Sequence, residues 1–506
     1  MQLHDLLADL AGLDGAGVLE LRASGTSPVA VTAVVHDSRE VRPGALFCCI
    51  RGSVTDGHDH AAEAVRSGAV ALLVEDWLPL DVPQARVASV RAVLGPLAAR
   101  FHGEPSFAMR VLGITGTNGK TTVSYLLEAI ALAAGEHPAV VGTVGARIGD
   151  RVLSTAHTTP EATELQSMLA VMRDDGVDTV AMEVSSHALD QHRVDATNFT
   201  ATCFTNLSHD HLDYHGSVDA YFDAKARLFA PVFTHRAAIN VGDEHGAKMA
   251  RRAAGNGLVV TRFAVEESTG DHSGDDHSVD VRAQRVELTP RSASFDLVTC
   301  SSNPVRVRTA LVGSFNVVNA LAAATTALLA GFELDAIVAG LARPTVVPGR
   351  MERIDAGQEF TVLVDYAHTP DALRAVLAAA RDLVAPGGRL IAVFGCGGDR
   401  DRAKRPMMGE IAARDSDHAY VTNDNPRSED PAAIVTDILA GVPDGRAVEP
   451  VLDRRTAIHE AVAEARPGDV VVVAGKGHEP GQIIGDRVEP FDDREVARAE
   501  LQARAT

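Results

Sequence analysis

Gly113-Ile-Thr-Gly-Thr-Asn-Gly-Lys-Thr-Thr122 is the stretch of sequence that decides the fold. The apolar run Met109–Ile114 is typical of a buried strand, and residues 121–134 carry apolar side chains at helical spacing. A glycine-rich turn between strand and helix predicts a phosphate-binding loop, because the helix dipole and its first N–H groups favour an anion. A strict P-loop has glycine where this chain has Ile114, so the loop is a variant.

The residue types of this loop match the chemistry of a nucleoside triphosphate. Gly116 and Gly119 let backbone N–H groups converge on phosphate oxygens, Lys120 supplies a positive charge, and the Thr121 hydroxyl can ligate Mg²⁺. We therefore predict that the chain binds a nucleoside triphosphate through the whole turn. The loop residues assigned to this ligand are Gly116, Thr117, Asn118, Gly119, Lys120, Thr121 and Thr122.

Composition restricts the possible partners. The 506 residues include 47 Lys and Arg against 68 Asp and Glu, a formal net charge of −21, which argues against nucleic acid as a partner. No apolar run is long enough to span a membrane, and the amino terminus lacks the basic region of a signal peptide. The five cysteines form no CxxC pair. We expect a cytoplasmic protein without membrane insertion.

Strand patterns recur along the chain and predict an α/β fold. Buried-strand runs at 179–184, 200–205, 360–364, 389–394, 418–422 and 469–474 each end in a polar or glycine-rich turn. In parallel sheets ligands bind at the carboxyl ends of strands, so chemistry is expected in these turns. The length suggests about three domains, and Pro- and Gly-containing breaks lie near 101–106 and 342–349.

Two further segments contain side chains that suit a metal or phosphate site. Glu183 ends an apolar strand, where a carboxylate is costly unless it meets a cation, and this favours a Mg²⁺ ligand. His209, His211 and His215 follow another strand. Zinc is disfavoured because no cysteine or HExxH partner is present, which leaves a second Mg²⁺ ligand or a polar loop around the triphosphate. Lys225, by itself, has the pattern of a solvated helix lysine.

Together these motifs resemble those of the Mur ligase family, ATP-dependent amide-bond-forming enzymes of peptidoglycan synthesis. The resemblance covers nearly the whole chain. It is carried by the loop and by the segments Glu183–Arg193, Asn206–Gly216, Gly313–Asn319, Pro348–Glu352 and Asp365–Pro370. It implies a small N-terminal α/β domain that binds a UDP substrate (1–103), a central ATPase domain with a mostly parallel P-loop-type sheet (104–342), and a C-terminal Rossmann-like domain that binds an amino acid (343–506).

The resemblance also implies two Mg²⁺ ions as cofactors. Thr121 and Glu183 match ligands of the first ion, and His211 and Lys225 match ligands of the second, with Lys225 carbamylated to N6-carboxylysine. Lys120, Glu183, His211 and Lys225 are thus the expected catalytic group. The remaining residues matched to ATP contacts are Asn316, Asn319, Arg350 and Asp365.

Two further residue sets follow from the resemblance. The residues matched to the UDP-N-acetylmuramoyl dipeptide are Ser38, Ser53, Val54, Thr55, His157, Thr158, Thr159, Ser185, Gln191 and Arg193. At His157 this chain departs from the asparagine that the family often carries. The residues matched to the incoming amino acid are Arg400, Asp424, Asn425, Pro426, Arg427, Gly475 and Glu479.

The implied reaction joins meso-diaminopimelate to the D-glutamyl γ-carboxylate of the UDP-N-acetylmuramoyl dipeptide through an acyl-phosphate, in peptidoglycan precursor synthesis. Arg400 and Arg427 suit the extra carboxylate that distinguishes diaminopimelate from lysine. The alternatives are the same reaction with L-lysine, a folylpolyglutamate synthase-like ligase, and a nucleotide-switched scaffold without ligase activity. We expect a monomer.

Overall fold

A computed structural model describes residues 1–8, 20–22, 28–52, 55–153, 155, 157–266, 279–289, 291–300 and 302–504. Within these residues the chain is an α/β protein, as predicted, with three mostly parallel sheets that follow one another along the chain. The sheets span residues 20–86, 110–309 and 352–474. The domain boundaries at 103 and 342 stay a prediction.

The first sheet has the strand order β1-β5-β4-β3-β2, in which only β1 is antiparallel to its neighbour. Its strands are β1 Glu20–Arg22, β2 Ala33–Val35, β3 Ala45–Cys48, β4 Ala71–Val74 and β5 Gln84–Arg86. The helices of this region are α1 Leu3–Leu7, α2 Ala61–Arg66 and α3 Val90–Phe101. Apolar side chains cluster on both faces of the sheet, so a sheet of short strands still has two cores.

The second sheet contains the predicted phosphate loop. Its described strands are β6 Arg110–Thr115, β7 Pro138–Gly142, β8 Gly145–Ile148, β9 Arg151–Leu153, β10 Thr179–Glu183, β11 Ala201–Phe204, β12 Arg236–Asn240, β13 Val259–Val265, β14 Val281–Thr289, β15 Ser292–Thr299 and β16 Ser302–Thr309. Their order is β16-β15-β14-β13-β12-β11-β6-β10-β7-β8-β9, parallel from β14 to β7 and antiparallel at both edges.

Helices cover both faces of this sheet because its strands are apolar on both sides. The helices are α4 Lys120–Ala133, α5 Ala162–Asp174, α6 Ser186–Asp190, α7 Leu212–His215, α8 Val218–Ala226, α9 Glu244–Gly255, α10 Ser314–Leu329 and α11 Leu334–Ala342. On β6, Leu112 and Ile114 join the core beneath α4 while Val111 joins the core on the opposite face, the period of two expected of a strand. Ile114 is thus a fully buried strand residue, which explains why the loop begins only at Gly116.

The third sheet has the order β17-β18-β22-β19-β20-β21, with only β17 antiparallel, and a separate β23–β24 hairpin follows it. The strands are β17 Glu352–Ile354, β18 Thr361–Asp365, β19 Leu390–Phe394, β20 His418–Val421, β21 Val448–Pro450, β22 Val470–Ala474, β23 Gly481–Ile484 and β24 Arg487–Pro490. The helices are α12 Pro370–Arg381, α13 Lys404–Asp415, α14 Pro431–Leu439, α15 Arg454–Glu464 and α16 Asp493–Arg504.

Most of the expected strands lie within one residue of their expected ends. The break expected at 101–106 is not an irregular segment throughout. Phe101 is the last residue of α3, and Pro105–Phe107 forms a 3₁₀ turn. The Ser106 hydroxyl is buried and accepts a hydrogen bond of 3.0 Å from the Asn198 N–H. This segment is therefore a packed turn and not an open linker.

A buried ion pair joins the starts of the last two long helices. Arg454 donates to both carboxylate oxygens of Asp493 at 2.8 and 2.7 Å, and to the carbonyls of Ala474 and Asn423 at 2.9 and 3.1 Å. Both charged side chains are wholly buried. The pair holds α15 and α16 against the carboxyl ends of β20 and β22.

We predict that Asp493→Asn lowers the free energy of unfolding by about 3–5 kcal/mol, because it leaves the Arg454 charge buried without its partner. Denaturant unfolding followed by circular dichroism measures the change. Asp355→Asn is the matched control, because Asp355 is exposed and its ion pair with Arg353 is long, at 3.9 Å. This substitution should change stability by less than about 0.5 kcal/mol. Equal effects of the two substitutions would contradict this account.

Candidate active site

The turn between β6 and α4 is built for close approach to an anion. Gly116 and Gly119 have φ values of 148° and 89°, and α4 begins at the next residue, Lys120. A Cβ at Gly116 would collide with the Thr205 hydroxyl, and one at Gly119 with the Asn319 side-chain oxygen. Both glycines are thus required by backbone conformation and by space.

Two lysine ammonium groups meet at one carbonyl oxygen of this loop. Lys120 Nζ donates to Gly116 O at 2.9 Å and Lys225 Nζ donates to the same oxygen at 3.0 Å. Lys225 is 1% exposed, and its Nζ lies 4.3 Å from the centroid of the Tyr221 ring. Burial lowers the pKa of both amines, and the Lys120 charge lowers that of Lys225 further. The expectation of a solvated Lys225 from its local pattern was therefore wrong.

Glu183 stands at the carboxyl end of β10, next to β6 in the sheet. It is buried and accepts hydrogen bonds from the Thr143 N–H at 2.9 Å and the Thr143 hydroxyl at 3.0 Å. Its negative charge acts on the Lys120 ammonium. Thr121, the other residue expected to ligate the first Mg²⁺, is buried and its hydroxyl accepts from Arg350 Nη2 at 3.2 Å.

The histidine-rich segment packs beside Lys225. His211 is the N-cap residue of α7, with a φ of 54°, and its ring centroid lies 4.8 Å from that of His187 and 6.1 Å from that of Tyr221. Burial lowers the pKa of His211 to about 3, so its ring is neutral near pH 7, the form that ligates metals. In the described part of the chain no three His, Cys, Asp or Glu side chains converge on one point.

The other residues assigned to ATP lie at the junction of α10 with the third sheet. Asn319 Nδ2 donates to Asn316 Oδ1 at 3.0 Å, and the Arg350 guanidinium stacks 4.5 Å from the Tyr366 ring centroid. Asp365 is buried and accepts from the N–H groups of Met351 and Ala367 at 2.7 and 2.8 Å. Burial raises the pKa of Asp365, against the nearby Arg350 charge. A cavity of about 510 Å³ adjoins Asn316 and Arg350.

Residues assigned to the UDP substrate form a connected group in the central region. Thr159 Oγ1 donates to Glu183 O at 2.9 Å and accepts from the Ser185 N–H at 3.1 Å. Arg193 donates to Thr159 O at 3.1 Å and to Gln191 Oε1 at 2.7 Å. Thr158 Oγ1 lies 3.2 Å from Thr143 Oγ1, whereas His157 is exposed.

The N-terminal members of that set lie apart from this group in the first region of the chain. Ser38 begins a 3₁₀ turn after β2, and the Thr55 carbonyl accepts a hydrogen bond of 3.0 Å from the Gly52 N–H. Ser53 and Val54 lie outside the described residues. His36 contacts Thr163 Oγ1 at 2.7 Å, so the two regions meet near the substrate set.

The amino-acid set converges at the carboxyl ends of β19, β20 and β22. Arg427 donates to Gly398 O at 2.7 Å, and the Asp399 carboxylate accepts from the Ser428 N–H at 3.0 Å. These bonds fasten the turn that carries Arg400 to the turn Asp424–Arg427. Burial lowers the pKa of Arg427, and the neighbouring Arg400 charge lowers it further. Two guanidinium groups close together form a site for carboxylates.

Asp424 and Glu479 are the two acidic residues assigned to the amino acid. Asp424 is buried, its Oδ2 atom has no hydrogen-bond partner among the described residues, and burial raises its pKa. A Cβ at Gly475 (φ 118°) would lie 2.5 Å from this Oδ2, so glycine lets the carboxylate fit. Asn425 Nδ2 donates to Glu479 Oε2 at 2.8 Å. Pro426 is buried, and its carbonyl packs against Gly398.

Sequence reasoning missed several residues that hold these groups. Thr143 holds Glu183 and also accepts a hydrogen bond of 3.2 Å from His478 through its carbonyl. It follows the carboxyl end of β7, the position at which ligand-binding turns occur, so its place in the topology was a usable signal. Lys476 lies between Gly475 and Glu479, which the sequence analysis assigns to the amino acid. The hydrogen bonds of its side chain cannot be predicted from the spacing of residues in the sequence.

The chain was also compared with known proteins. Three family models match: "Mur ligase family, catalytic domain" at residues 30–102, "Mur ligase middle domain" at 114–327, and "Mur ligase, glutamate ligase domain" at 349–477. UDP-N-acetylmuramoyl-L-alanyl-D-glutamate--2,6-diaminopimelate ligase of Geobacillus thermodenitrificans is 44% identical over 482 residues, covering 94% of this chain and 95% of that protein. The chain belongs to the Mur ligase family.

Two further relatives agree with this membership. The Streptomyces avermitilis protein with the same name is 43% identical over 506 residues, 98% of this chain and 96% of its own. A solved structure of a UDP-N-acetylmuramoyl-L-alanyl-D-glutamate--2,6-diaminopimelate ligase is 34% identical, with a TM-score of 0.66, over 94% of this chain and 96% of that one. Among the described residues of this Mur ligase, no helix has the length and apolar character needed to cross a membrane.

Proposed function

We propose that this Mur ligase is the ATP-dependent enzyme that joins meso-diaminopimelate to the D-glutamyl γ-carboxylate of UDP-N-acetylmuramoyl-L-alanyl-D-glutamate, in peptidoglycan precursor synthesis. The observation that carries the proposal is the convergence of a phosphate loop, a buried carboxylate and a pair of arginines in a chain that aligns with diaminopimelate ligases almost end to end. We further propose that the enzyme acts as a cytoplasmic monomer.

Activation of the substrate begins at the loop. The backbone N–H groups after Gly116 and the Lys120 ammonium would hold the β- and γ-phosphates of ATP, with Asn316, Asn319 and Arg350 around the nucleotide. A γ-carboxylate oxygen of the substrate attacks the γ-phosphorus, ADP leaves, and an acyl-phosphate forms. The amine of diaminopimelate then attacks the acyl carbon, and phosphate leaves with the loss of one proton from nitrogen.

The residues present fit two Mg²⁺ ions. Thr121 and Glu183 offer the hard oxygen ligands that Mg²⁺ prefers, and both are buried next to Lys120. Bound Mg²⁺ would neutralise charge on the transferring phosphoryl group. His211 is neutral and available near Lys225. As an amine, Lys225 donates and cannot serve as an oxygen ligand, which makes its modification a requirement of the proposal.

Carbamylation of Lys225 is chemically favoured by its surroundings. The reaction forms a bond between the neutral amine nitrogen and the carbon of CO₂ and releases one proton, so it needs the unprotonated amine. Burial and the adjacent Lys120 charge lower the pKa of Lys225 and supply that form. The product is an anion beside Lys120, which replaces repulsion between two cations with attraction.

The arginine pair supports diaminopimelate over lysine as the amino acid. Lysine lacks the distal carboxylate and would leave the half-buried Arg427 guanidinium without an anion, a loss that strongly disfavours a substrate. We predict that purified enzyme with ATP and the UDP-dipeptide forms the diaminopimelate product with kcat/KM about 10⁴-fold above that for lysine, as measured by mass spectrometry.

In the same assay Arg427→Met should lower kcat/KM for diaminopimelate about 100-fold and change that for lysine by less than threefold. Equal losses with both amino acids would assign Arg427 a general structural role. ATP hydrolysis without any amide product would refute the ligase proposal itself.

Gly119→Ala tests the phosphate loop. We predict at least a tenfold loss of ATP affinity in equilibrium titration, because the new methyl group meets Asn319 and the φ of 89° strains alanine. Gly135→Ala is the matched control, since Gly135 has a φ of 79° but open space around it. It should retain ATP affinity and lose only about 1 kcal/mol of stability. Unchanged ATP binding by Gly119→Ala would place the nucleotide elsewhere.

Lys225→Ala tests the carbamate. We predict a loss of at least about 100-fold in kcat, partly restored by short carboxylic acids that replace the missing carboxylate. Lys248→Ala, which removes an exposed lysine paired with Asp219, serves as control and should keep full activity. Full turnover by Lys225→Ala would show that no carbamate is needed.

A further inference from the structure

Lys476 is a buried cation that none of the assigned roles uses. It follows the carboxyl end of β22, and its side chain is 0% exposed. Its Nζ donates to Gly481 O at 2.6 Å, Glu479 Oε2 at 3.0 Å and Asn425 Oδ1 at 3.2 Å. All three protons of the ammonium group are thus directed to protein oxygens, and the side chain has no surface left for a substrate.

The two carboxylate oxygens of Glu479 have different hydrogen-bond partners, and Lys476 bonds to only one of these oxygens. Oε2 accepts from Lys476 and from Asn425 Nδ2 at 2.8 Å, which leaves it little further capacity. Among the described residues, Oε1 accepts only from the Tyr366 hydroxyl, at 3.3 Å, and the Glu479 side chain is 31% exposed. The carboxylate is therefore fixed through one oxygen and retains acceptor capacity at the other.

The Lys476 ammonium group also joins the β23–β24 hairpin to the turn Asp424–Arg427, because it donates to an oxygen of each. Gly481 is the first residue of β23, and Ile483 N–H donates to Asn425 Oδ1 at 2.9 Å. The Arg427 N–H donates to Ile483 O at 3.0 Å, and Gly485 N–H donates to Arg427 O at 2.7 Å. Arg427 has a φ of 51°, which costs about 1–2 kcal/mol outside glycine, so this pairing holds the arginine in an unfavourable backbone conformation.

We propose that Lys476 is a positioning residue of the amino-acid site, which holds Glu479 and the Asn425 side chain so that Glu479 Oε1 accepts a hydrogen bond from the non-reacting ammonium group of a diamino acid. The inference rests on the proposed function. Glu479 thus faces the ammonium end of the ligand, and Arg400 and Arg427 face its carboxylate.

Lys476→Met removes the charge at nearly constant volume. We expect KM for meso-diaminopimelate to rise about 30-fold, the loss typical of a hydrogen bond to a charged group. The KM values for ATP and the UDP-dipeptide should stay within twofold and kcat within threefold, because an interaction made equally in ground and transition state changes KM alone. Lys248→Met, at an exposed lysine, is the matched control and should change none of these constants.

A substrate analogue separates positioning from a general structural role. 2-Aminopimelate keeps the reacting amine and the distal carboxylate but lacks the second ammonium group. The wild-type enzyme should prefer meso-diaminopimelate to 2-aminopimelate by at least tenfold in kcat/KM, and Lys476→Met should reduce that preference to less than threefold. If the preference is unchanged in Lys476→Met, the proposal is wrong.

The pH dependence of KM gives an independent readout. Burial raises the pKa of Glu479, but Lys476 and the Asn425 amide outweigh this and bring it below its ordinary value. The other charged or titratable groups near Glu479 are Tyr366, His368, Asp424, Arg427, Arg454 and His478. Protonation of Glu479 removes the acceptor, so KM rises as the pH falls through its pKa. In Lys476→Met that rise should begin at higher pH.

A double substitution keeps the test decisive if Lys476→Met fails to fold. Glu479→Gln is compared with Lys476→Met/Glu479→Gln, which has no unpaired charge at this position. If Lys476 acts through Glu479, the two proteins have KM values for meso-diaminopimelate within threefold. A further tenfold rise in the double variant would overturn the proposal. Absence of ligation by the wild-type enzyme would instead refute the proposed function.

Discussion

The Gly116 carbonyl oxygen, with two buried lysine ammonium groups bonded to it, is the interaction on which the active site depends. Two cations within hydrogen-bond distance of one oxygen repel each other, and burial makes each more costly. The arrangement is stabilised by what lies around it: Glu183 and Asp210, whose negative charges act on Lys120, and the ring of Tyr221 beside Lys225. A polyanionic ligand, or a carbamate on Lys225, relieves the same repulsion. In the proposed function, electrostatics would thus link nucleotide binding to modification of Lys225.

The net charge of −21 describes the average surface and not this site. Positive charge is concentrated where strands end, on Lys120, Arg350, Arg400 and Arg427, and each of these is held by backbone carbonyls, hydroxyls or an aromatic ring. Such partners fix a cation without neutralising it. An acidic protein can therefore bind phosphates and carboxylates at local sites.

The second and third sheets meet through side chains of the site itself. Arg350 donates to Thr121, His478 contacts the Thr143 carbonyl at 3.2 Å, and His209 lies 2.8 Å from Asp401. The residues assigned to the nucleotide and those assigned to the amino acid are thereby brought to one junction, as the proposed reaction between acyl carbon and amine requires. Residues more than 200 positions apart in sequence supply that junction, such as Thr121 and Arg350.

The sequence by itself determined the α/β class, the glycine turn between β6 and α4, and the ends of most of the strands that it predicted to within one residue, because apolar periodicity and glycine turns are local properties of the chain. It also placed Glu183 and the arginine turn at strand ends, where parallel topology collects ligands. Motif resemblance added expected roles for Lys225 and His211, and these roles stay predictions. For Lys225 the pattern of its helix indicates solvent, whereas Gly116 and Tyr221 bury it.

Tertiary structure alone decided how these groups are held. Thr143 fixes Glu183, and Lys476 fixes Glu479 and Asn425, through hydrogen bonds that join separate elements. Their geometry depends on angles and distances between strands, which no spacing in the sequence records. The burial that shifts the pKa of Lys225 and Asp424 likewise arises from the packing of several elements at once. Residue identity sets which chemistry is available, and the fold sets which atom is free to perform it.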